Sequence, residues 1–302
     1  MRIKIFSDFC DSLTCKNHYE RICDISQLEH YGPDKALYIT TGEDYTHAII
    51  LNTAMPVLKN IGRANVLGLA FEPPSFLNIT PQFINYAQKY IGKYFIGDVY
   101  VPLNNNQNQY ILLPPLFKLQ YAFMWHITPF PFDYAPGKTR LMSIMVSEKQ
   151  SAPGHAYRHD LVKHILSKGL PIDIYGRGAN KYKGLYGSIY KNDSRLKGPF
   201  QEFEPYAPYA FHICIENFMT PAYFSEKITN TLLCNTTPIY WGCGRVLEYF
   251  PDNVLFLSGN VDQDIKLLQA IINEPMKYRT QLNLLAIKDK LNLLKNVEKI
   301  FA

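Results

Sequence analysis

Glu216, Asn217, Tyr223, Glu226 and Lys227 crowd into Tyr209–Ile228, a run that reads as a strand (Phe211–Ile215), an irregular turn and a helix from Ser225. All five fall where the strand ends or the helix begins. In an open α/β sheet the ligand crevice lies beyond the carboxyl ends of the strands, and the free N–H groups of helix N-termini there attract phosphate. A lysine in a first helical turn opposes the helix dipole, so Lys227 suggests an anion shared by its ammonium and the N–H groups. The plain alternative is that Glu226 and Lys227 form a solvated helix start.

These residues need a scaffold. The chain has 302 residues, 47% hydrophobic and 19% charged, enough to bury a sizeable core and more in keeping with two domains than one. Ile3–Phe6, His47–Leu51 and Asn65–Phe71 read as strands and Pro81–Ile91 as a helix, the βαβ rhythm of a parallel sheet. After Ile111–Pro115 the pattern dissolves, and from Trp125 to Gly137 three prolines and a glycine preclude regular structure and mark a domain boundary. A second series comes next: strand Arg140–Val146, helix Tyr157–Lys168, strand Ile172–Tyr175 ending at Gly176 and Gly178, strand Phe211–Ile215, helix Ser225–Leu233, strand Thr237–Trp241, a short helix from Arg245 and strand Val254–Leu257. The expectation is an α/β protein of two tandem units, 1–138 and 139–275, with a helical tail over 276–302. In the tail, Leu284, Ile287, Leu291, Leu294 and Val297 recur at helical spacing beside Lys288, Lys290, Lys295 and Lys299. It is expected to pack on the body; weak contact with a membrane surface is the alternative. Asn104–Gln109 reads as an exposed loop.

Lysines and arginines outnumber aspartates and glutamates by 31 to 26, a net charge of +5 with no basic run. That is weaker than the footprint of a dedicated nucleic-acid binder and better suited to an anionic small ligand. Lys4, Ser7 and Asp8 interrupt the N-terminal apolar run, and no stretch reaches about 18 uncharged apolar residues, so a soluble cytoplasmic protein without signal peptide or membrane anchor is expected. Six cysteines embedded in apolar segments point to a reducing compartment rather than a disulfide scaffold.

Tyr209–Ile228 and its continuation Asn235–Gly242 resemble the α-1,3/4-fucosyltransferases, family ten of the glycosyltransferases. There a strand ending Phe-Glu-Asn leads through a turn and a Tyr-x-Thr/Ser-Glu-Lys box into a helix, then into a Pro-Ile/Val-Tyr/Val-Trp/Leu-Gly strand. The likeness is dense from Tyr209 to about Phe256. Upstream, Asp173-Ile174-Tyr175-Gly176-Arg177-Gly178 is similar to the family's Asp-Val-Tyr-Gly-Arg segment, and Arg158 lies in the preceding helix, where the family places an arginine. In the first half only Gly68-Leu69-Ala70-Phe71-Glu72 matches, as a strand end carrying a glutamate. Ile215 stands where the family has Phe, and Pro73-Pro74 come after Glu72 in place of polar residues.

The resemblance implies a GT-B-like fold, two Rossmann-like domains facing each other across a cleft, the N-terminal one binding an acceptor glycan and the C-terminal one GDP-fucose. It implies an inverting, metal-independent transfer of L-fucose to an acceptor hydroxyl. Arg158 and Lys227 would neutralise the diphosphate as charge builds on leaving GDP, the work a divalent cation does elsewhere. Asn217 and Tyr223 would bond phosphate or ribose, and Glu226 a ribose or fucose hydroxyl. Tyr175, Gly176, Arg177 and Glu216 are further donor-side candidates. Glu72 would be the base that takes the acceptor proton; its plain alternative is a residue capping or solvating a loop. A transferase for another GDP-sugar, or an inactive sugar- or nucleotide-binding relative, are the alternative functions.

Rival signals are weaker. Asp262-Gln263-Asp264 fits the Asp-x-Asp pattern of metal-dependent transferases, but it precedes the amphipathic run Ile265–Ile272 and reads as a first helical turn. Gly242-Cys243-Gly244 lacks the third glycine of a dinucleotide fingerprint, position 247 being Leu. Cys10, Cys15, His18 and Cys23 match no common zinc module. His126, His155, His159 and His212 accompany no Ser or Cys nucleophile signature, and His212 reads as a core histidine.

Overall fold

Apolar runs without alternation, such as Ala48–Leu51, suit strands covered on both faces, as parallel strands are. In the computed structural model, which describes residues 1–104, 106–128, 137–185 and 189–302, Ile3, Ile5, Ile49, Ile50 and Leu51 are fully buried. The chain divides into two units: Met1–Thr128 with Thr220–Phe224 and Asp289–Ala302, and Pro129–Met219 with Ser225–Lys288.

The first unit begins with β1 (Arg2–Ser7), α1 (Ser12–Ile22), β2 (Tyr38–Ile39), β3 (His47–Leu51), β4 (Val66–Leu69), α2 (Pro81–Tyr90) and β5 (Lys93–Ile96). A hairpin of β6 (Tyr100–Leu103) and β7 (Asn106–Leu112) leads to β8 (Phe117–Leu119). The sheet is parallel in the order β2-β1-β3-β4-β5-β8. Local chemistry starts both helices: the Thr14 N–H donates to Asp11 Oδ1 before α1, and Thr80 caps α2 ahead of Pro81. Of the expected loop at Asn104–Gln109, residues 106–109 instead begin strand β7, and residue 105 is outside the described residues. Asn104 turns with φ 53°, and the apolar pair Val101 and Ile111 sets the register beside the stacked rings of Tyr100 and Tyr110.

The second unit runs β9 (Arg140–Met145), α3 (Pro153–Ser167), β10 (Ile172–Tyr175), α4 (Arg177–Leu185), β11 (Leu196–Gly198), β12 (Tyr209–Ile215), α5 (Glu226–Leu233), β13 (Thr237–Trp241), α6 (Val246–Tyr249), β14 (Leu255–Phe256), α7 (Val261–Asn273), α8 (Pro275–Tyr278) and α9 (Leu284–Leu291). Its sheet is also parallel, in the order β11-β10-β9-β12-β13-β14. β12 lies inside the sheet with all seven residues buried.

The division departs from the sequence expectation at three places. The boundary falls at 128/129 rather than 138/139, and 129–136 of the proline-rich stretch lie outside the described residues. Thr220–Phe224 leaves the second unit for the first, where Phe224 stacks on Tyr121 with ring centroids 4.4 Å apart. The tail is helical, as α8, α9 and α10 (Leu293–Phe301), but from Asp289 it belongs to the first unit. Asn292 makes the break, capping α10 through the Lys295 N–H and donating its own amide to Cys23 O at 2.8 Å. Leu293, Leu294, Val297 and Ile300 are buried, worth roughly 6–12 kcal/mol before chain entropy is counted. That face is covered by protein and is not presented to a membrane surface. Among the described residues no helix is long and apolar enough to cross a membrane.

Candidate functional site

Three backbone ends meet beyond β12. The Gly154 N–H, in the first turn of α3, donates to Asn217 O at 2.9 Å, and a Cβ on Gly154 would stand 1.8 Å from Glu216 O. Only glycine lets the helix start against this turn. One turn along α3, Arg158 is buried and its Nη2 donates to Asn217 Oδ1 at 2.6 Å. From the third side, Ser225 caps α5.

Glu216 binds this helix start rather than facing a ligand. It is fully buried; Oε1 accepts the Ser225 N–H at 2.8 Å and Oε2 the Ser225 hydroxyl at 2.7 Å. Lys227 Nζ donates to Ser225 Oγ and to Glu226 Oε1, both at 3.0 Å, and lies 3.5 Å from Glu216 Oε2. The dipole cost of a lysine in the first turn is therefore offset by two carboxylates, a compensation invisible in the spacing alone.

Burial raises the Glu216 carboxyl, with Lys227 opposing the rise. Burial also works against the Lys227 ammonium, but Glu226 and Glu216 outweigh it and hold its pKa above the ordinary value. For Glu226 burial pulls upward, yet Lys227 prevails and keeps it ionised below the usual range. Its side chain is 43% exposed, so its carboxylate can still accept from ligand hydroxyls. Burial lowers the Arg158 pKa, while Glu216 and Glu226 support its charge. His155, buried beside these cations, is pushed down to about 4 by burial and then by Arg158; it is neutral near pH 7, which fits its Nδ1 accepting the Ala152 N–H.

A cavity of about 370 Å³ in this unit is lined by Ser147, Arg158, Gly176, Arg177 and Phe200 among others. Gly176 sits at φ +93°, and a Cβ there would stand 2.3 Å from Val146 O, so only glycine turns β10 into α4 at the cavity wall. Two buried polar atoms of the lining residues, Arg158 Nε and Ser147 Oγ, have no hydrogen-bond partner. A buried donor without a partner is costly and calls for one from a ligand. Ser147 was missed in the sequence, although its place just past β9 obeys the rule that drew attention to Asn217. Tyr175 turns away from this group: its hydroxyl lies 2.9 Å from that of Tyr209, which donates to Asp173 Oδ2 at 2.6 Å. The structure thus brings together Arg158, Asn217, Glu226 and Lys227, with Glu216 beneath them and Gly176 and Arg177 at the cavity.

Tyr223 belongs to the first unit, where it is buried and its hydroxyl donates to Phe71 O at 3.4 Å. It is closely packed there: a Cβ on Gly97 would stand 2.4 Å from Tyr223 Cβ. That bond places Tyr223 next to Glu72, which is half-buried three residues past β4. The chain is pinned on both sides of Glu72. The Phe71 N–H donates to Asn52 Oδ1 at 2.8 Å, and Pro73 O accepts the Phe76 N–H at 2.8 Å.

The rival signals resolve into structure. Asp264 is buried and accepts from Ser258 N, Ser258 Oγ and Gly259 N as well as the Tyr157 hydroxyl, in the first turn of α7 behind the Asn260 cap. His212 Nδ1 lies 2.7 Å from Ser143 Oγ, whose hydroxyl also donates to Pro205 O. Among the described residues no three His, Cys, Asp or Glu side chains stand close enough together to hold a metal ion.

Comparison with known proteins places this geometry. Residues 135–270 match the glycosyltransferase family 10 (fucosyltransferase) C-terminal domain. A protein of Acanthamoeba polyphaga mimivirus that carries a fucosyltransferase name is 30% identical over 189 residues, 56% of this chain and 29% of that protein. Alpha-(1,3)-fucosyltransferase B of Drosophila melanogaster is 31% identical over 118 residues, 39% of this chain and 26% of the relative. The matched stretches thus span under a third of these curated relatives. Among solved structures, an α1,3-fucosyltransferase with GDP aligns at TM-score 0.50 and 15% identity, over 99% of this chain and 90% of that one. HepE of Anabaena in complex with UDP aligns at TM-score 0.50 and 11% identity, over 98% and 95%. The fold shared with them is the two-unit α/β arrangement of the GT-B glycosyltransferases. The family pattern covers residues 135–270, under half of the chain, and falls on the segment that carries Arg158, Asn217, Glu226 and Lys227; that segment is similar to the C-terminal domain of the family 10 glycosyltransferases, the fucosyltransferases.

Proposed function

We propose that the protein transfers L-fucose from GDP-fucose to a hydroxyl of an acceptor glycan, with inversion at the anomeric carbon (the α-1,3/4 type) and without an essential divalent metal. The observation that carries this reading is the pair of partnerless buried atoms, Arg158 Nε and Ser147 Oγ, on residues lining one cavity close to the Lys227 cluster. A diphosphate supplies acceptor oxygens for both.

In this mechanism an acceptor hydroxyl gives its proton to a carboxylate oxygen of Glu72 as its oxygen attacks the anomeric carbon. The bond from that carbon to the β-phosphate oxygen breaks on the opposite face, and GDP leaves with the electron pair. Arg158 and Lys227 stabilise the charge gathering on the phosphate. The more Glu216 is protonated, the more positive the field Lys227 presents. Asn217 is held by Arg158 within reach of phosphate or ribose, and Glu226 accepts from a sugar hydroxyl. Tyr223 acts indirectly, by fixing the backbone before Glu72.

The test is nucleotide selectivity followed by turnover. GDP at about 100 times its Kd should stabilise the fold by about 2.7 kcal/mol and raise the melting temperature, while UDP and CMP do not. Transfer from GDP-fucose onto a glycan array should then persist in EDTA. Equal stabilisation by UDP, or transfer abolished by EDTA and restored by Mn²⁺, would overturn the reading.

A further inference from the structure

The loop between β1 and α1 holds two thiols in contact. Cys10 and Cys15 have their sulfurs 3.3 Å apart, within hydrogen-bonding range, and both are free. Cys10 is partly exposed and lines a cavity of about 510 Å³ with Ser7, Asp8, Asp11, Thr53 and Met55, so a small oxidant in solvent has a route to its sulfur. Cys15 is fully buried behind it, in the first turns of α1. The remaining cysteines, Cys23, Cys214, Cys234 and Cys243, are buried.

We propose that Cys10 and Cys15 are a dithiol modification site, an intrachain pair that a peroxide converts to a disulfide. The Cys10 thiolate attacks one peroxide oxygen, the O–O bond breaks, and that oxygen stays on Cys10 as a sulfenic acid while the other oxygen leaves as water after protonation. The Cys15 sulfur then attacks the Cys10 sulfur, the S–O bond breaks and a second water departs. Two thiols lose two electrons and two protons, and one peroxide becomes two waters. The sulfurs must close to about 2.05 Å, which asks for rotation and a small shift of an exposed loop, not a rearrangement of the sheet.

The loop that moves is coupled to its neighbour. Asp8, two residues before Cys10, accepts from the Thr53 N–H at 3.1 Å and from its hydroxyl at 2.9 Å. The disulfide would therefore brace both loops at the ends of β1 and β3. This inference concerns the first unit alone and stands apart from the transfer reaction.

Both cysteines fall in one tryptic peptide, Ile5–Lys16, which makes the test direct. The native full-length chain is treated with stoichiometric hydrogen peroxide, denatured, alkylated and digested. Free thiols should fall from six to four. Ile5–Lys16 should be two hydrogens lighter and unalkylated, and dithiothreitol should restore it. In Cys15→Ser the reaction should stop at a sulfenic acid on Cys10, trapped by dimedone. In Cys10→Ser, a change at a partly exposed position, no thiol should be lost. Alkylation of both residues after treatment, a disulfide joining either to another cysteine or chain, or a wild-type Cys10 that halts at the sulfenic acid would overturn the proposal.

Discussion

Two strands of this protein run into a glutamate, and the two residues differ in burial and in what comes after them. Past β12, Glu216 is fully buried with both oxygens bonded to Ser225. Past β4, Glu72 is half-buried, and the two residues after it are prolines, which bring no N–H to the turn. The difference lies in the segment downstream of each strand. A serine at the start of a helix supplies two donors aimed at Glu216, whereas Pro73 and Pro74 stiffen the chain and donate nothing. Glu216 is a fastening between strand and helix; Glu72 is a half-buried carboxyl group on a pinned backbone.

The largest expected effect separates these roles. Glu72→Gln keeps the shape and removes the basic lone pair, so transfer should fall by about 10²- to 10⁴-fold in kcat, with the KM for GDP-fucose and the melting temperature unchanged. Near-normal turnover would take the base away from Glu72. Glu216→Ala should act the other way round. It strands the Ser225 donors and the Lys227 ammonium in a buried site, which costs about 3–5 kcal/mol in denaturant unfolding. A fully stable Glu216→Ala with lost turnover would reverse the assignment of the two glutamates.

The same contrast explains what could be read in the sequence. The strands were legible because parallel strands buried on both faces are continuous apolar runs, and β12 and β13 fall on Phe211–Ile215 and Thr237–Trp241 to within two residues. The short strands β2, β8 and β11 were not, since two or three residues carry little period, and neither were β5 and the hairpin of β6 and β7. Arg158, Asn217, Glu226 and Lys227 could be singled out as polar groups at strand ends and on helices. Glu216 looked like one of them, because position alone does not say whether a carboxyl group finds donors within the protein. That Tyr223 belongs to the first unit was not legible either: five residues at Thr220–Phe224 join that unit, with Phe224 stacked on Tyr121, and no local pattern announces it.

A smaller effect sharpens the comparison at the donor side. Replacing Arg158 or Lys227 by Ala removes a charge-assisted contact of about 1.5–3 kcal/mol, which is roughly 10- to 150-fold in GDP affinity. Calorimetry should show that loss in each variant. Lys227→Ala should also cost stability, because it leaves Glu216 without its counter-charge, while Glu72→Gln should leave GDP affinity where it was. Unchanged GDP binding in both cation variants would remove the cluster from the donor site.

The smallest effect is a slope against pH, and it bears on how dry the β12 end is. Burial pushes His212, on β12, down to about 3, and His155, on α3, down to about 4. In the unfolded chain both take up a proton near pH 6.5, so between about pH 6.5 and 4 the unfolded state holds more protons than the folded one. Stability therefore falls as pH falls, by at most about 1.4 kcal/mol per pH unit for each histidine. Glu216 has the opposite sign: burial raises its carboxyl, the folded state takes its proton first on acidification, and that contribution grows as pH drops. His212→Asn should accordingly flatten the acid loss between pH 6 and 5 by about one proton's worth, and Glu216→Ala should steepen it, each read from denaturant midpoints at the two pH values. Parallel slopes in wild type and His212→Asn would mean that the histidine titrates normally in the fold, and that the interior around β12 admits water.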